Sequence, residues 1–578
     1  MSSSSPPSHP APPASSSVGE LDRRHFLATL SALGVGGGLF PGILWAQAAQ
    51  EPEITEETIQ AAEGLAGLSF SPQQRTMMLE NLRNNRGAYR RMREEELSYD
   101  VPPALHFDPL PPGATIPSGP SLMRPSRPRD LPDPDDPVEV AYASLTELGA
   151  LLRSGRLSSE RLTRLYLDRL RRFGDDLECV VTLTEDLALE QAQRADRELL
   201  AGLVRGPLHG IPWGAKDLLA TRGYPTTWGA APYQDQTLEH DATVVRRLDE
   251  AGAVLVAKLT LGALAMGDVW FGGQTRSPWD LERGSSGSSA GSAAAVVSGL
   301  VGFAIGSETL GSIISPAVRC GATGLRPTFG RVSRAGAMPL SWSMDKLGPL
   351  CRHAEDCALV LDGIQGPDNL DRTVRQVPFR WDGEAGLDGI RVGRLTGAFD
   401  ADGPTGDLDR AVLEVLEGLG AELVEVGLPD DLPLGALRII LNAEAAASFD
   451  SLTRSGRDAL MVRQEEGSWP NLFRSARMIP AVEYLQANRL RTILLGRLEQ
   501  AWAGVDVLVA PPFAGSLLLA TNLSGHPAVV ARHGFEDSRN PGAITFVGGL
   551  WKDGEALAVA HAFQRATSHH LERPTRFS

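Results

Sequence analysis

The feature of this sequence that most limits its fold is an alternation of short β-branched runs with longer stretches of helical periodicity. Four such runs are AVLVAKL (253–259), VGFAIG (301–306), IRVGRL (390–395) and VDVLVAPP (505–512). Runs this short and apolar are typical of strands buried on both faces. Because helical stretches lie between them, the sequence predicts an α/β protein with a largely buried sheet.

Two helices before the first of these runs have clear ends. In SLTELGALLRSG, Ser144 and Glu147 have the spacing of a capping box, and Gly155 follows as a stop signal. In SSERLTRLYLDRLRRFG, apolar residues recur at helical spacing up to Gly174. We therefore expect two amphipathic surface helices, the second of which ends at Gly174.

Composition excludes several classes of protein. The 578 residues carry a formal net charge of -16, whereas nucleic-acid and anionic-membrane surfaces favour clustered lysine and arginine. We therefore expect no nucleic-acid partner. The spacing of the four cysteines predicts neither a disulfide framework nor a metal site, so buried thiols are expected; they are Cys179, Cys320, Cys351 and Cys357.

The N-terminus resembles a twin-arginine export signal. Arg23 and Arg24 precede an apolar, glycine-containing stretch that ends on the small-residue pattern Ala46-Gln47-Ala48. This pattern predicts that residues 1–48 are a signal peptide, with a periplasmic or secreted location and the export machinery as a partner in transit. The alternative is a short anchor that is never cleaved.

Residues 49–137 are predicted to be an extension. Their first part, to about residue 98, has the pattern of polar helices, and prolines then crowd the chain to residue 137. So many prolines exclude regular helix and favour an extended strap or linker. We place the domain boundary near residue 138.

Three polar residues lie in glycine-bearing turns next to apolar sequence. Lys216 follows one apolar segment and precedes another, Ser288 lies in the run GSSGSSAGSAAAVVSG (284–299), and Ser312 follows the apolar run VGFAIG. A serine hydroxyl is a poor nucleophile until an uncharged base takes its proton. A buried lysine is such a base, because burial favours its neutral form.

These residues lie in motifs through which the chain resembles the amidase signature family. The resemblance spans about residues 138–567, leaving 568–578 as a C-terminal tail. It implies an α/β/α fold with a large, mixed, twisted sheet flanked by helices. The motifs, in chain order, are GIPWGAKD, SSGSSAGSAAAV, GSETLGSIISPA, CGATGLRPTFGRVSRAGAMPLSWSMDKLGPLCR and TNLSGHPAV.

The resemblance implies a serine amidohydrolase that needs no cofactor and no metal. Its motifs assign the general base to Lys216, the proton relay to Ser288 and the nucleophile to Ser312. The oxyanion hole is implied to be made of four backbone N–H groups, those of Thr309, Leu310, Gly311 and Ser312. The implied partner is a small-molecule amide, with ester or carbamate cleavage in addition, and a homodimer is compatible with this interpretation.

The chain departs from the family pattern around both serines. Leu310-Gly311 replaces the usual double glycine, and Ile314 stands where an arginine is common. Ser286 and Ala290 replace paired glycines in the first serine loop. Loss of a fixed cation counts against a substrate with a carboxylate close to the scissile bond.

Three alternatives are considered. The pattern GSSAG (287–291) fits the G-x-S-x-G elbow of α/β-hydrolase esterases, with Ser289 as the nucleophile, but that elbow must follow a buried strand. The glutaminase-type A subunit of a tRNA-dependent amidotransferase closely resembles the family, although the export signal speaks against it. A non-enzymatic secreted binding protein on an amidase scaffold is the third, and retention of all three polar residues speaks against it.

Overall fold

The computed structural model describes residues 53–94, 98–99, 101, 105–111, 113–128, 130–400 and 403–578. The predicted signal peptide lies outside these residues. Contacts divide the chain into two compact units, Met1–Glu96 and Leu97–Ser578. Among the described helices, none has the length and apolar character needed to cross a membrane.

The helices are numbered in chain order. The first unit contains α1 (Glu56–Ala66) and α2 (Pro72–Glu94), which are joined by a bidentate ion pair between Arg75 and Glu63. The helices of the second unit are α3 (Pro137–Tyr142), α4 (Leu145–Arg153), α5 (Ser159–Leu177), α6 (Glu185–Leu200), α7 (Thr243–Glu250), α8 (Ala290–Val297), α9 (Ile314–Cys320), α10 (Ala354–Ile364), α11 (Gly406–Gly418), α12 (Ile439–Ser448), α13 (Asp450–Arg454), α14 (Trp469–Ala476), α15 (Ala481–Ala501), α16 (Leu517–Ser524) and α17 (Asp553–Thr567).

The strands all belong to the second unit. They are β1 (Leu122–Arg124), β2 (Val180–Leu183), β3 (Pro212–Lys216), β4 (Val254–Leu259), β5 (Val269–Trp270), β6 (Gly273–Gln274), β7 (Arg276–Ser277), β8 (Asp280–Gly284), β9 (Phe303–Glu308), β10 (Thr323–Arg326), β11 (Lys346–Cys351), β12 (Arg380–Asp382), β13 (Arg391–Leu395), β14 (Glu422–Val426), β15 (Val507–Ala510), β16 (Ala528–Phe535) and β17 (Pro541–Gly548).

Eleven of the described strands form one mixed sheet, in the order β14-β13-β15-β17-β16-β10-β11-β9-β3-β4-β2. The pairs β9·β3 and β3·β4 are parallel, as are β14·β13 and β13·β15, and the other neighbours are antiparallel. The four β-branched runs of the sequence correspond to β4, β9, β13 and β15, so their prediction as sheet strands is confirmed.

Both faces of the sheet are covered. Along β9, Phe303 and Ile305 belong to one apolar core and Ala304 to the other, as expected when successive side chains point to opposite faces. Helices α4, α7, α10 and α17 contribute to the first core, and α6, α8 and α9 to the second. The fold is therefore the expected α/β/α arrangement of a large mixed sheet between helices.

Of the two helices with predicted ends, α4 has the predicted capping box, whereas α5 extends beyond its predicted end. The side chain of Ser144 caps α4 and Glu147 completes the capping box. Helix α5, however, continues through Gly174 to Leu177. It continues because Phe173 and Leu177 are buried against the second core, and this packing outweighs the helix-breaking tendency of a single glycine.

The proline-rich segment and the tail both pack on the second unit. That unit begins at Leu97, so it includes the proline-rich part of the predicted extension, whereas the helical part belongs to the first unit. At the other end, Phe577 is fully buried and its carbonyl oxygen accepts a hydrogen bond from Arg169. The four cysteines are free and buried.

Candidate active site

Lys216 is the last residue of β3, an internal strand of the large sheet that lies third from one edge. Its side chain is completely buried, because β3 runs between β9 and β4 with helices on both faces. The next residue, Asp217, is also buried and pairs with Lys258 of β4 at 2.7 Å. Asp217 therefore ties β3 to its neighbour.

The amino group of Lys216 faces three serine hydroxyls. Its Nζ donates to Oγ of Ser288 at 2.8 Å, of Ser289 at 3.0 Å and of Ser307 at 2.8 Å. Burial lowers the pKa of Lys216 well below its usual value, and the nearby carboxylates of Asp345 and Glu308 only partly oppose this. A lysine in this setting is suited to act as an uncharged base.

The glycine- and serine-rich run forms a tight loop between β8 and α8. The Gly287–Ser288 peptide bond is cis. A Cβ atom at Gly287 would overlap the backbone carbonyl of Gly267, so only glycine fits there. The loop brings Ser288 and Ser289 against Lys216, 72 and 73 residues away in the chain.

Ser312 lies in the turn between β9 and α9, and its side chain is partly exposed. This turn contacts the serine loop through the backbone, since the N–H of Ser289 donates to the carbonyl oxygen of Ser312 at 3.0 Å. The side chains of Ser288 and Ser312 form no hydrogen bond with each other among the contacts described. The structure thus brings the three predicted residues to one site, and their catalytic roles remain predictions.

The backbone of this turn is left open to a ligand. Gly311 has a left-handed conformation, with φ of 83°. The N–H groups of Leu310, Gly311 and Ser312 have no hydrogen-bond acceptor within the described part of the chain. Consecutive free amides of this kind form an anion-binding concavity, which is the property an oxyanion hole needs.

Glu308 and Ser307, which the sequence analysis did not single out, complete the site. One carboxylate oxygen of Glu308 accepts the N–H groups of Ile313 and Ile314, at 2.8 and 2.9 Å. The other accepts from Arg326 at 2.8 Å and from Asn522 at 2.9 Å. Burial acts to raise the pKa of Glu308, but Arg326, the N–H of Ile314 and Lys346 outweigh it and lower the pKa to about 2. Both residues lie inside the motif GSETLGS, which was the available signal.

The hydroxyl of Ser289 is hydrogen-bonded to the backbone of β9. Its Oγ donates to the carbonyl oxygen of Ser307 and accepts the N–H of Ser307, both at 3.1 Å. The strand before it, β8, pairs with β7 in a hairpin apart from the large sheet. The buried strand that a G-x-S-x-G elbow requires is therefore not supplied by β8.

Histidine side chains have other partners. His526 accepts or donates a hydrogen bond with Ser524 at 2.7 Å, and burial together with Arg326 lowers its pKa to about 3. His209 lies beside Glu198, and His353 beside Asp356. None of these contacts involves Ser288 or Ser312, so a Ser/His/Asp arrangement is not formed by them.

The departures from the family pattern have clear structural counterparts. Ile314 is fully buried in the second core, and its backbone N–H is one of those bound by Glu308. Ser286 contacts Ser315, with their hydroxyls 3.1 Å apart. The position where the family commonly has an arginine is thus occupied by an apolar side chain that packs inward.

A cavity of about 430 Å³ reaches the site. Its wall includes Ser307, which is bonded to Lys216, and Thr309, which begins the turn that contains Ser312. Much of the remaining wall is apolar, including Leu218, Met338 and Leu347. No group of histidine, cysteine or acidic residues that could hold a metal ion is found in the described residues.

Comparisons with known proteins identify the family of the chain. A family model described as Amidase matches residues 161–517. The A subunit of glutamyl-tRNA(Gln) amidotransferase from Moorella thermoacetica is 34% identical over 76% of this chain and 99% of its own length. Its counterpart from Halorhodospira halophila is 35% identical over 75% of this chain and 99% of its own length.

A solved amidase structure is also similar to this chain. Native peptide amidase from Stenotrophomonas maltophilia superposes with a TM-score of 0.67 at 31% identity, covering 75% of this chain and 99% of that one. Together with the motif order and the geometry around Lys216, these matches establish that the chain belongs to the amidase signature family of hydrolases.

Proposed function

We propose that the protein is a serine amidohydrolase in which Ser312 is the nucleophile, Ser288 the proton relay and Lys216 the general base. The observation that carries this proposal is the buried Lys216, whose Nζ is 2.8 Å from Oγ of Ser288, next to the turn with free backbone amides. Carboxamides are the proposed substrates, with esters or carbamates in addition.

The reaction begins when Oγ of Ser312 attacks the carbonyl carbon of the amide. Its proton passes to Ser288 as the proton of Ser288 passes to neutral Lys216. The negative charge on the carbonyl oxygen is stabilised by backbone N–H groups of the turn, those of Thr309, Leu310, Gly311 and Ser312.

The tetrahedral intermediate then collapses. The C–N bond breaks, and the proton held by Lys216 returns through Ser288 to the leaving nitrogen. An acyl ester on Ser312 and a free amine result. Water adds to the ester by the same relay, which releases the carboxylic acid and restores the hydroxyl of Ser312.

The test is covalent labelling of purified protein by a serine-directed fluorophosphonate, measured with amide hydrolysis. Ser312→Ala should abolish both. Ser289→Ala is the matched control, since its hydroxyl is bonded to the backbone of Ser307, and it should still be labelled. Labelling that persisted in Ser312→Ala and vanished in Ser289→Ala would replace this proposal with the esterase elbow.

A second candidate is the glutaminase-type A subunit of a tRNA-dependent amidotransferase. It is favoured by the relatives of that name, at 34% and 35% identity over three quarters of this chain. Ile314 stands where the family commonly has an arginine, so it leaves no fixed cation behind Ser312 to bind the carboxylate of glutamine. This fact supports the first candidate.

Ammonia release separates the two candidates. We expect release from uncharged amides and little from glutamine, because Ile314 replaces the arginine that could bind its carboxylate. Propionamide and glutamine at equal concentration are suitable probes. Preference for glutamine would support the amidotransferase candidate instead.

Export belongs to the same proposal. The pattern around Arg23 and Arg24 supports a periplasmic or secreted enzyme that crosses the inner membrane as a folded protein.

A further inference from the structure

The proline-rich segment before the family-like region belongs to the second unit. We call residues 105–111 and 113–128 the strap. The match to the family model begins at residue 161, so the strap lies outside it. The segment packs in an extended form, consistent with a proline content that prevents helix.

The strap is fixed at several points. The ring of Phe107 lies 3.4 Å from the guanidinium carbon of Arg491 and 5.1 Å from the ring of Phe329. Further on, β1 pairs in parallel with β12, and the N–H of Ser126 donates to Glu355 at 2.7 Å. Phe107, the residue after His106, is therefore held against Arg491 and Phe329.

Two residues of the strap, Leu105 and His106, line two cavities at once. The first is the cavity of about 430 Å³ that reaches Ser307 and Thr309. The second, of about 720 Å³, lies against α12 and α15 and includes Tyr484 in its wall. Leu105, His106 and Trp342 belong to both walls, so they form the boundary between the two cavities.

Two charged groups in the wall of the first cavity, Arg334 and Asp345, are already paired. Arg334 donates to Asp371 and to the carbonyl oxygen of Trp342. Asp345 accepts from Thr309 at 2.6 Å and from two backbone N–H groups. A charged substrate group there would have to displace one of these bonds, whereas an uncharged apolar group would not.

The side chain of Leu105 is itself unusual. It is apolar and 72% exposed, in a position where it faces both cavities. An exposed leucine adds little to the stability of the fold, but it offers apolar surface to a molecule that fills the cavities.

Resting on the proposed amidohydrolase activity, we propose that Leu105 and His106 of the strap are specificity-determining residues that contact an extended, uncharged apolar group of the amide substrate. The group runs from the turn at Thr309 past Trp342 to the strap. The hydrolysis of substrates too short to reach the strap does not depend on these two residues.

The test uses two series of neutral anilides and alkylamides in the full-length protein. In one, the acyl side is lengthened from two to ten carbons; in the other, the amine side is lengthened. The series that responds identifies the side of the amide that reaches the strap. In Leu105→Ala and in the double variant with His106→Ala, we expect KM for the long members of that series to rise about tenfold. The kcat values and the rates with two-carbon substrates should stay as in the unaltered protein, because lost binding is the same in the ground and transition states.

Val101→Ala is the matched control. Val101 is 55% exposed, lies in the same proline-rich segment and lines neither cavity. It should leave the dependence on chain length unchanged. If Leu105→Ala gave the same length dependence as Val101→Ala in both series, the inference would be wrong, and a fall in kcat for all substrates alike would also overturn it.

Binding without turnover separates this inference from the proposed function. The dissociation constant of decananilide is measured calorimetrically on Ser312→Ala and on Ser312→Ala with Leu105→Ala. Weaker binding in the second protein supports the strap contact even if Ser312 proves not to be the nucleophile. Equal binding contradicts the strap contact even if Ser312 is the nucleophile.

Discussion

The carboxylate of Glu308 accepts the backbone N–H of Ile313 at 2.8 Å, across the turn that contains Ser312. The same side chain forms a fully buried ion pair with Arg326. One residue therefore shapes the turn that contains Ser312 and balances a buried charge, which links the geometry of the site to the stability of the fold.

Glu308→Gln should therefore lower the stability of the fold and disturb the turn that contains Ser312. It leaves the guanidinium of Arg326 buried without its anion, and loss of one partner of a buried pair costs about 3 to 5 kcal/mol. We expect the free energy of unfolding in urea to fall by that amount, and fluorophosphonate labelling of Ser312 to slow.

The control for Glu308 is Asp135→Asn. Asp135 pairs with Arg161 at 2.8 Å, but both side chains are more than half exposed. A surface pair contributes at most about 1 kcal/mol. Similar losses in the two variants would contradict the importance of the buried pair.

The lowered pKa of Lys216 makes a prediction about stability. Between that pKa and the usual lysine value of about 10.4, the unfolded chain binds a proton at Lys216 that the folded protein lacks. The contribution of Lys216 to stability must therefore rise with pH in this window, by up to about 1.4 kcal/mol per unit. The Lys216→Met variant lacks this dependence.

Urea unfolding of both proteins at pH 7, 8 and 9 measures this effect. The free energy of unfolding of the unaltered protein minus that of Lys216→Met should increase from pH 7 to pH 9. Taking the difference removes the contributions of other titrating groups. A constant difference would mean that Lys216 is protonated in the folded protein.

The proposed role of Lys216 as general base predicts a difference between amides and esters. An amine leaves as an anion only at prohibitive cost and needs a returned proton, whereas a phenoxide leaves readily. Lys216→Ala should depress turnover of an anilide by orders of magnitude more than that of the matched phenyl ester.

The pH dependence of the unaltered enzyme gives a second measurement. Activity should fall as the pH drops through the lowered pKa of Lys216, because the base is then charged. Equal losses on anilide and ester, with an unchanged acidic limb in the variant, would make Lys216 a structural residue.

The proposed export signal predicts that changing Arg23 and Arg24 to lysine retains the protein in the cytoplasm. The measurement is recovery of amide hydrolysis in periplasmic and cytoplasmic fractions. Changing Arg75 and Arg83 to lysine, in the first unit, is the matched control and should leave the distribution unaltered. Equal periplasmic recovery of both variants would contradict a twin-arginine signal.

The fold was largely predictable because its strands are short apolar runs in which tertiary context and local preference agree. Strands β4, β9, β13 and β15 follow directly from those runs. The extent of α5 was not predictable, since the burial of Leu177 depends on a core built from distant segments. The path of the strap was not predictable either, because its contacts are with residues far along the chain, such as Arg491.

The site was predictable in composition but not in its contacts. Motifs identify Lys216, Ser288 and Ser312 from their order along the chain. The contact of Lys216 with Ser307 joins residues 91 apart, and the bond of Glu308 to Asn522 joins residues 214 apart. Such contacts depend on how the strands are ordered in the sheet, which local sequence does not specify.

The four buried cysteines give the protein an internal reporter of its own opening. Each thiol is free and shielded from solvent, and burial raises the pKa of Cys179 to about 12. Because the thiolate is the reactive form, alkylating reagents reach these groups only when the surrounding structure opens. The rate of thiol alkylation under native conditions therefore measures how often the core is exposed, and an oxidising compartment finds no accessible thiol in the folded protein among the described residues.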